Sequence, residues 1–273
     1  MQDYICTACG TQYPPSEHAP ERCVICEDER QFVPVTGQGW TTLEKLSIAH
    51  CNAYREHEPG LIGIGTQPTF AIGQRALLIR TPSGNVLWDC ISLLDAATVT
   101  LITALGGLKA IAISHPHFYT SMEEWARAFD APLYLNAADR QWIMRPNARI
   151  RFWHRETHEL APGITLIRCG GHFAGGSALH WADGAGGRGV LCTADMATVN
   201  MDRKSFTFMR SYPNMIPLST RQVEAIGAAL EPFAFDRVYS HFFERVIPTG
   251  AKQILRNSVA RYVRASHGAY DAD

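Results

Sequence analysis

Nowhere do the 273 residues approach the roughly 18 uninterrupted apolar positions that a membrane-spanning helix requires. Charge of one sign is missing too. The chain has 25 lysines and arginines against 26 aspartates and glutamates, a formal net charge of -1, so neither nucleic acid nor an anionic membrane is an expected partner. The opening residues, Met-Gln-Asp-Tyr-Ile-Cys, lack the basic and apolar regions of a signal peptide, and the expected location is the cytoplasm. No repeat of fixed short period and no low-complexity tract is visible. What remains is an ordinary globular composition, 46% hydrophobic and 19% charged, with room for a large core and a small appendage. The expected partner is a small-molecule substrate, and assembly into a homo-oligomer stays open.

The eight cysteines are unevenly spread. Cys6, Cys9, Cys23 and Cys26 form two C-x-x-C pairs separated by thirteen residues, whereas Cys51, Cys90, Cys169 and Cys192 stand alone, mostly in apolar contexts. Four thiolates on two tight turns make a tetrahedral cage, and Gly10 after the second cysteine permits the turn that aims amides at sulfur. A metal would then replace the core that so short a segment cannot build. Residues 1–37 therefore read as a four-cysteine module of zinc-ribbon or rubredoxin-like type and 38–273 as a larger domain, with 33–41 as the linker between them. The segments around the two pairs resemble the short rubredoxin-like segments of rubrerythrins, with Val24 in place of the usual proline and Glu27 in place of the usual glycine. Structural zinc is the expected metal and iron the alternative.

After a helix-like pattern over 42–55, strands are expected at 61–66, 75–80 and 85–89, the last two joined by the turn Thr81-Pro82-Ser83-Gly84. A helix over 93–105 stops at Gly106-Gly107. The apolar run 109–113 then leads into Ser114-His115-Pro116-His117-Phe118-Tyr119-Thr120-Ser121, where strand alternation would place both imidazoles on one face. A helix follows over 121–129, a strand over 133–135 and a helix capped by Asn136. Further strands are expected at 164–169, 177–181, 189–195 and 237–240, with helices over 220–230 and 251–264.

Strand ends carry the chemistry. His115 and His117, then His172 after Cys169-Gly170-Gly171, Asp195 after Val190-Leu-Cys-Thr-Ala, and His241 after Val238-Tyr-Ser are all metal-ligand types delivered at carboxyl ends of strands. With Asp89 ending Val86-Leu-Trp, this order resembles the metallo-β-lactamase superfamily over roughly residues 40–265. The resemblance implies an α/β (α+β) fold, an αββα sandwich with metals at one edge. It also implies that His115, His117 and His172 hold a first metal, that Asp195 is a carboxylate bridging two metals, and that His241 serves the second. The family's H-x-H-x-D-H motif is altered: Tyr119 and Thr120 stand where it has Asp and His. Glu123 and Glu124 lie one helical turn further on and read as solvated carboxylates.

At most one metal, zinc or another divalent ion, is therefore expected at the histidines. Asp195 would orient water or act as base, and Tyr119 would donate to an oxyanion if it points inward. Arg210 and Tyr212 are candidate substrate contacts, and Cys90 reads as a buried, inert thiol. The expected activity is that of a metal-dependent hydrolase acting on a small ester, lactone, thioester or phosphoester. Two alternatives are a catalytically silent binding domain and an iron-dependent oxidoreductase using the four-cysteine site.

Overall fold

The computed structural model describes residues 1–271. They form two compact units, one from Met1 to Trp153 and one beginning at His154.

In the first unit, β1 (Tyr4–Cys6) pairs antiparallel with β2 (Trp40–Thr42), Cys6 opposite Trp40, and the single turn α1 (Val24–Glu27) lies between them. The end of the expected linker is thus a strand that ties off the cysteine segment. Helix α2 (Leu43–Ala49) follows at once, its N-cap Thr42 accepting from the Lys45 amide. Next come β3 (Cys51–Glu58), β4 (Leu61–Gln67), β5 (Arg75–Ile79), β6 (Val86–Trp88), helix α3 (Ala96–Ala104), β7 (Ala110–Ala112), helix α4 (Met122–Phe129), β8 (Leu133–Asn136) and β9 (Ile150–Trp153). The seven strands β3 to β9 make one sheet whose spatial order is their chain order. β3 to β6 pair antiparallel, and β6 to β9 pair parallel, with α3 and α4 as the first two crossovers and a 3-10 helix, Ala137–Trp142, capped by Asn136, between β8 and β9. β5, β6 and β7 are buried along their whole length. Each Leu, Ile or Val so buried contributes on the order of 1.5–3 kcal/mol.

The helix expected over 42–55 is instead α2 followed by an edge strand. The apolar spacing that suggested helix continues only to Ala49. In β3 the buried positions are Asn52 and Glu58, and Asn52 donates to the Leu93 carbonyl at 3.0 Å and to Thr98 Oγ1 at 2.9 Å. Apolar periodicity does not register a strand anchored by polar groups.

The second unit begins with β10 (Thr157–Ala161), β11 (Ile164–Arg168), β12 (Ser177–Trp181), the short turn α5 (Gly184–Gly187) and β13 (Val190–Ala194). Two small antiparallel pairs follow, β14 (Thr198–Val199) with β15 (Phe206–Thr207) and β16 (Met209–Ser211) with β17 (Ile216–Pro217). Helix α6 (Thr220–Leu230), β18 (Arg237–Ser240), β19 (Val246–Ile247) and helix α7 (Ala251–Ser266) complete it. A six-stranded sheet runs β10-β11-β12-β13-β18-β19, with β13 and β18 parallel across the α6 crossover. A capping box between Ser219 and Gln222 starts α6, whose Val223, Ile226 and Leu230 bury against Leu191, Val238 and Phe208. No helix among the described residues is long and apolar enough to cross a membrane.

Candidate metal centres

The cysteine quartet is assembled by two knuckle turns. Gly10 donates its amide to the Cys6 carbonyl at 2.9 Å, and Glu27 donates to the Cys23 carbonyl at 3.0 Å. Gly10 sits at φ +82°, a conformation that a side chain resists, so the first knuckle depends on glycine. The quartet is buried, with Cys6 and Cys26 sulfurs 3.5 Å apart and Cys9 and Cys23 sulfurs 3.6 Å apart. Sulfurs at tetrahedral corners around a metal with bonds of about 2.3 Å lie about 3.8 Å apart, so the cluster fits such an ion. Gln38 Nε2 donates to Cys6 Sγ at 3.0 Å, further support for a thiolate. Hydrogen bonds from Cys23 and Cys26 pull the Cys6 thiol down, while burial pushes Cys9 up. Four buried thiolates would repel one another without a cation among them.

In the first unit, Asp89 ends β6 at φ +63° and is buried. Its Oδ1 accepts from the Ser114 amide at 2.8 Å, and its own amide donates to the Ala112 carbonyl at 2.9 Å. The carboxylate thereby fixes the chain just before His115. Ser114 Oγ lies 2.8 Å from His115 Nδ1 and sets the ring's direction. His115 and His117 do converge, with ring centroids 5.2 Å apart, but strand alternation is not the cause. β7 ends at Ala112, and Pro116–Phe118 form a 3-10 turn that brings His117 back beside His115. Pro116 holds the φ that such a turn needs.

The positions after the histidines correct one expectation, that of a solvated Glu124. Tyr119 is buried; burial, then the charge of Asp139, raises its phenol well above the ordinary range. Thr120 takes φ +41° and is buried, with no hydrogen-bond partner for Oγ1 among the described residues. Nor is Glu124 a solvated carboxylate. It is buried, 2.8 Å from the Arg145 guanidinium, and paired also with Arg127. Cys90 is buried as expected, its thiol pushed up by burial and by Asp89.

In the second unit, the loop after β11 carries His172, whose Nδ1 is 3.2 Å from the Met209 carbonyl. Donation there leaves the lone pair on Nε2, which lies 3.8 Å from Asp195 Oδ2. Asp195 follows β13, and its Oδ1 is 2.9 Å from His241 Nδ1, beyond the end of β18. Tyr212 donates its hydroxyl to the Asp195 carbonyl at 3.0 Å, and its ring lies 5.8 Å from that of His172 and 6.3 Å from that of His241. Burial, then the Asp195 charge, raises this phenol too. Gly171 sits at φ +80°, a conformation that a side chain resists, and a Cβ there would press on Leu218 Cδ1 at 2.9 Å. Ser114 and the Met209 carbonyl are site residues that carry no sequence signal.

No protein-family model matches the chain. An uncharacterized protein of Bacillus subtilis (strain 168), YmaE, is 46% identical over 267 residues, which cover 97% of either chain. The chain belongs to the YmaE family. Solved structures extend the likeness beyond that family at the level of fold. A crystal structure of VMB-1 matches with a TM-score of 0.58 and 13% identity, covering 79% of this chain and 98% of its own. DIM-1 metallo-β-lactamase matches with a TM-score of 0.56 and 10% identity, covering 77% and 97%. This YmaE-family member therefore has the mixed α/β fold of the metallo-β-lactamases, an αββα sandwich, with a four-cysteine cluster near its N-terminus.

Proposed function

We propose that the protein is a metal-dependent hydrolase that uses His115, His117, His172 and Asp195 to hold one divalent metal, zinc in the first instance. The observation carrying this reading is that each unit gathers buried metal-ligand side chains, His115 and His117 with ring centroids 5.2 Å apart in the first and His172 Nε2 3.8 Å from Asp195 Oδ2 in the second. The donor set suits the ion: three imidazoles and a carboxylate are hard-to-borderline ligands, and His172 has its other ring nitrogen at a backbone carbonyl. The chemistry such an ion supplies is activation of water near neutral pH and polarisation of a carbonyl or phosphoryl oxygen.

This chain's own residues supply the rest. Asp195, whose Oδ1 lies 2.9 Å from His241 Nδ1, is the proposed group to orient water and accept its proton. The proposed donor to a developing oxyanion is Tyr119, two residues after His117. Tyr212 donates to the Asp195 carbonyl, and Arg210, two residues earlier in the chain, is the proposed substrate contact. Support for a single metal comes from Tyr119 and Thr120, and from Glu124, whose carboxylate is committed to Arg145. The substrate class that fits is a small ester, lactone, thioester or phosphoester. For the cysteine quartet we propose structural zinc; its sulfur spacing suits iron equally, and a coloured protein would identify iron.

Metal analysis of the full chain, loaded with zinc, tests the reading. Wild type should carry about two equivalents, and His115→Ala and His172→Ala about one each with folded spectra. Hydrolysis across p-nitrophenyl acetate, a lactone, a thioester and a phosphodiester should fall at least ~100-fold in both variants. One equivalent in wild type, unchanged in both variants, refutes it.

A further inference from the structure

The cysteine knuckle touches both loops that carry the first unit's metal-type residues, and it does so by matched routes. From Cys9, the next residue is Gly10, whose carbonyl accepts from Ser92 Oγ at 2.9 Å. Ser92 lies three residues after Asp89, the carboxylate that fixes Ser114 ahead of His115. Again from Cys9, three residues lead to Gln12, whose amide donates to the Thr120 carbonyl at 3.1 Å. Thr120 lies three residues after His117. The two loops are also bolted together, since Ser121 Oγ donates to the Ser92 carbonyl at 2.8 Å. Gln12, Ser92, Thr120 and Ser121 are all buried, so water does not substitute for these bonds. At Gly10 a Cβ would stand 2.4 Å from Ser92 Oγ, so the contact needs the bare backbone.

We propose that the four-cysteine site is a strut for the histidine site: a filled quartet sets the positions of residues 89–92 and 114–121, and emptying it weakens metal capture by His115 and His117. Gln12 and Ser92 are its positioning residues. The inference rests on the histidines binding a metal, as proposed above, but the strut itself can be read without that metal. Thr11, between the two links, ties them to the knuckle: its carbonyl accepts from the Cys6 amide at 2.9 Å, and its Oγ1 lies 3.3 Å from Cys9 Sγ. Loss of the ion frees both cysteines and with them both links.

The test compares full-length wild type, Cys23→Ala and Ser92→Ala by hydrogen exchange and by zinc titration against a chromophoric chelator. Cys23→Ala should lose the cysteine-bound zinc, exchange at least ~10-fold faster over 114–121 with β4 and β5 unchanged, and bind zinc at the histidines ~10–100-fold more weakly. Ser92→Ala should keep the cysteine-bound zinc and shift both readouts in the same direction by about 5-fold, the worth of one buried hydrogen bond. A merely structural serine would change neither the loop-confined exchange nor the zinc affinity. Wild-type exchange over 114–121 in both variants overturns the strut. If Cys23→Ala loses protection in the sheet as well, Ser92→Ala alone decides. Should wild type take up zinc at the cysteines only, the hydrolase reading fails, and loop exchange still decides the strut.

Discussion

Replacing Glu124 by glutamine removes one charge from a pair that the fold has largely taken out of water. The Glu124 side chain is 6% exposed and that of Arg145 14%, with the charged groups 2.8 Å apart. Breaking a buried pair by neutralising one partner costs about 3–5 kcal/mol, because the other charge keeps its desolvation penalty. Arg145 would retain Gln12 Oε1 and, at 3.7 Å, Asp3, so the lower end applies, about 3 kcal/mol. With an unfolding entropy of about 2.1 cal/mol/K per residue, that corresponds to a fall in Tm of about 5 °C. Arg127, the other partner of Glu124, is 64% exposed, so Arg127→Ala should cost under about 1 kcal/mol, some 1–2 °C. Calorimetric melts of wild type and both variants at ~50 mM and ~500 mM salt separate the two, because screening weakens the exposed pair more than the buried one. A Glu124→Gln melt within 1 °C of wild type, or equal losses in both variants, would refute the reasoning.

Two more consequences are open to direct measurement. Gly189 sits at φ +86°, and an added Cβ would stand 2.0 Å from the Ala234 carbonyl oxygen, a backbone atom that cannot swing away; Gly189→Ala should cost more than about 4 kcal/mol, seen as a collapse of Tm or of soluble yield. Asp236 is held below the ordinary carboxylate range, first by the Gly250 amide at 2.7 Å and then by Arg188 and Thr249. A carboxyl with a lowered folded pKa adds stability that is present above its unfolded pKa of about 4 and is lost as pH falls through the folded value. Denaturant titrations of Asp236→Asn should therefore lose less stability than wild type between pH 5 and pH 2, and parallel losses would sink the assignment.

Much of the fold was readable because its determinants are local. Strands β5 and β6 carry the apolar runs Ala76–Ile79 and Val86–Trp88, and α6 begins and ends where the sequence expectation put it, at Thr220 and Leu230. The cysteine quartet was legible for the same reason, since each pair closes its own turn. What stayed hidden depends on partners distant in the chain. Glu124 looks like a surface carboxylate until Arg145 arrives 21 residues later. Ser92 carries no signal at all, because its partner Gly10 is 82 residues away. The convergence of His115 and His117 was anticipated for the wrong reason, since the proline between them makes a 3-10 turn that strand alternation does not describe. Strands β9 and β10 escaped notice because arginine, histidine and glutamate interrupt their apolar positions.

The chain order of β3 to β9 bears on how the protein is made. Each of these strands pairs with the one synthesised just before it, so the first sheet needs nothing from residues beyond Trp153. Pairing of neighbours keeps the loops to be closed short, the condition for rapid folding. At translation rates of about 5–20 residues per second, the ribosome takes roughly 6–24 s to add the 120 residues from His154 to Asp273. During that interval the cysteine knuckle can capture its ion, and the loops bearing Asp89, His115 and His117 can settle, before His172 and Asp195 have emerged. A truncated nascent chain ending shortly after Trp153 should accordingly resist protease in zinc-replete lysate.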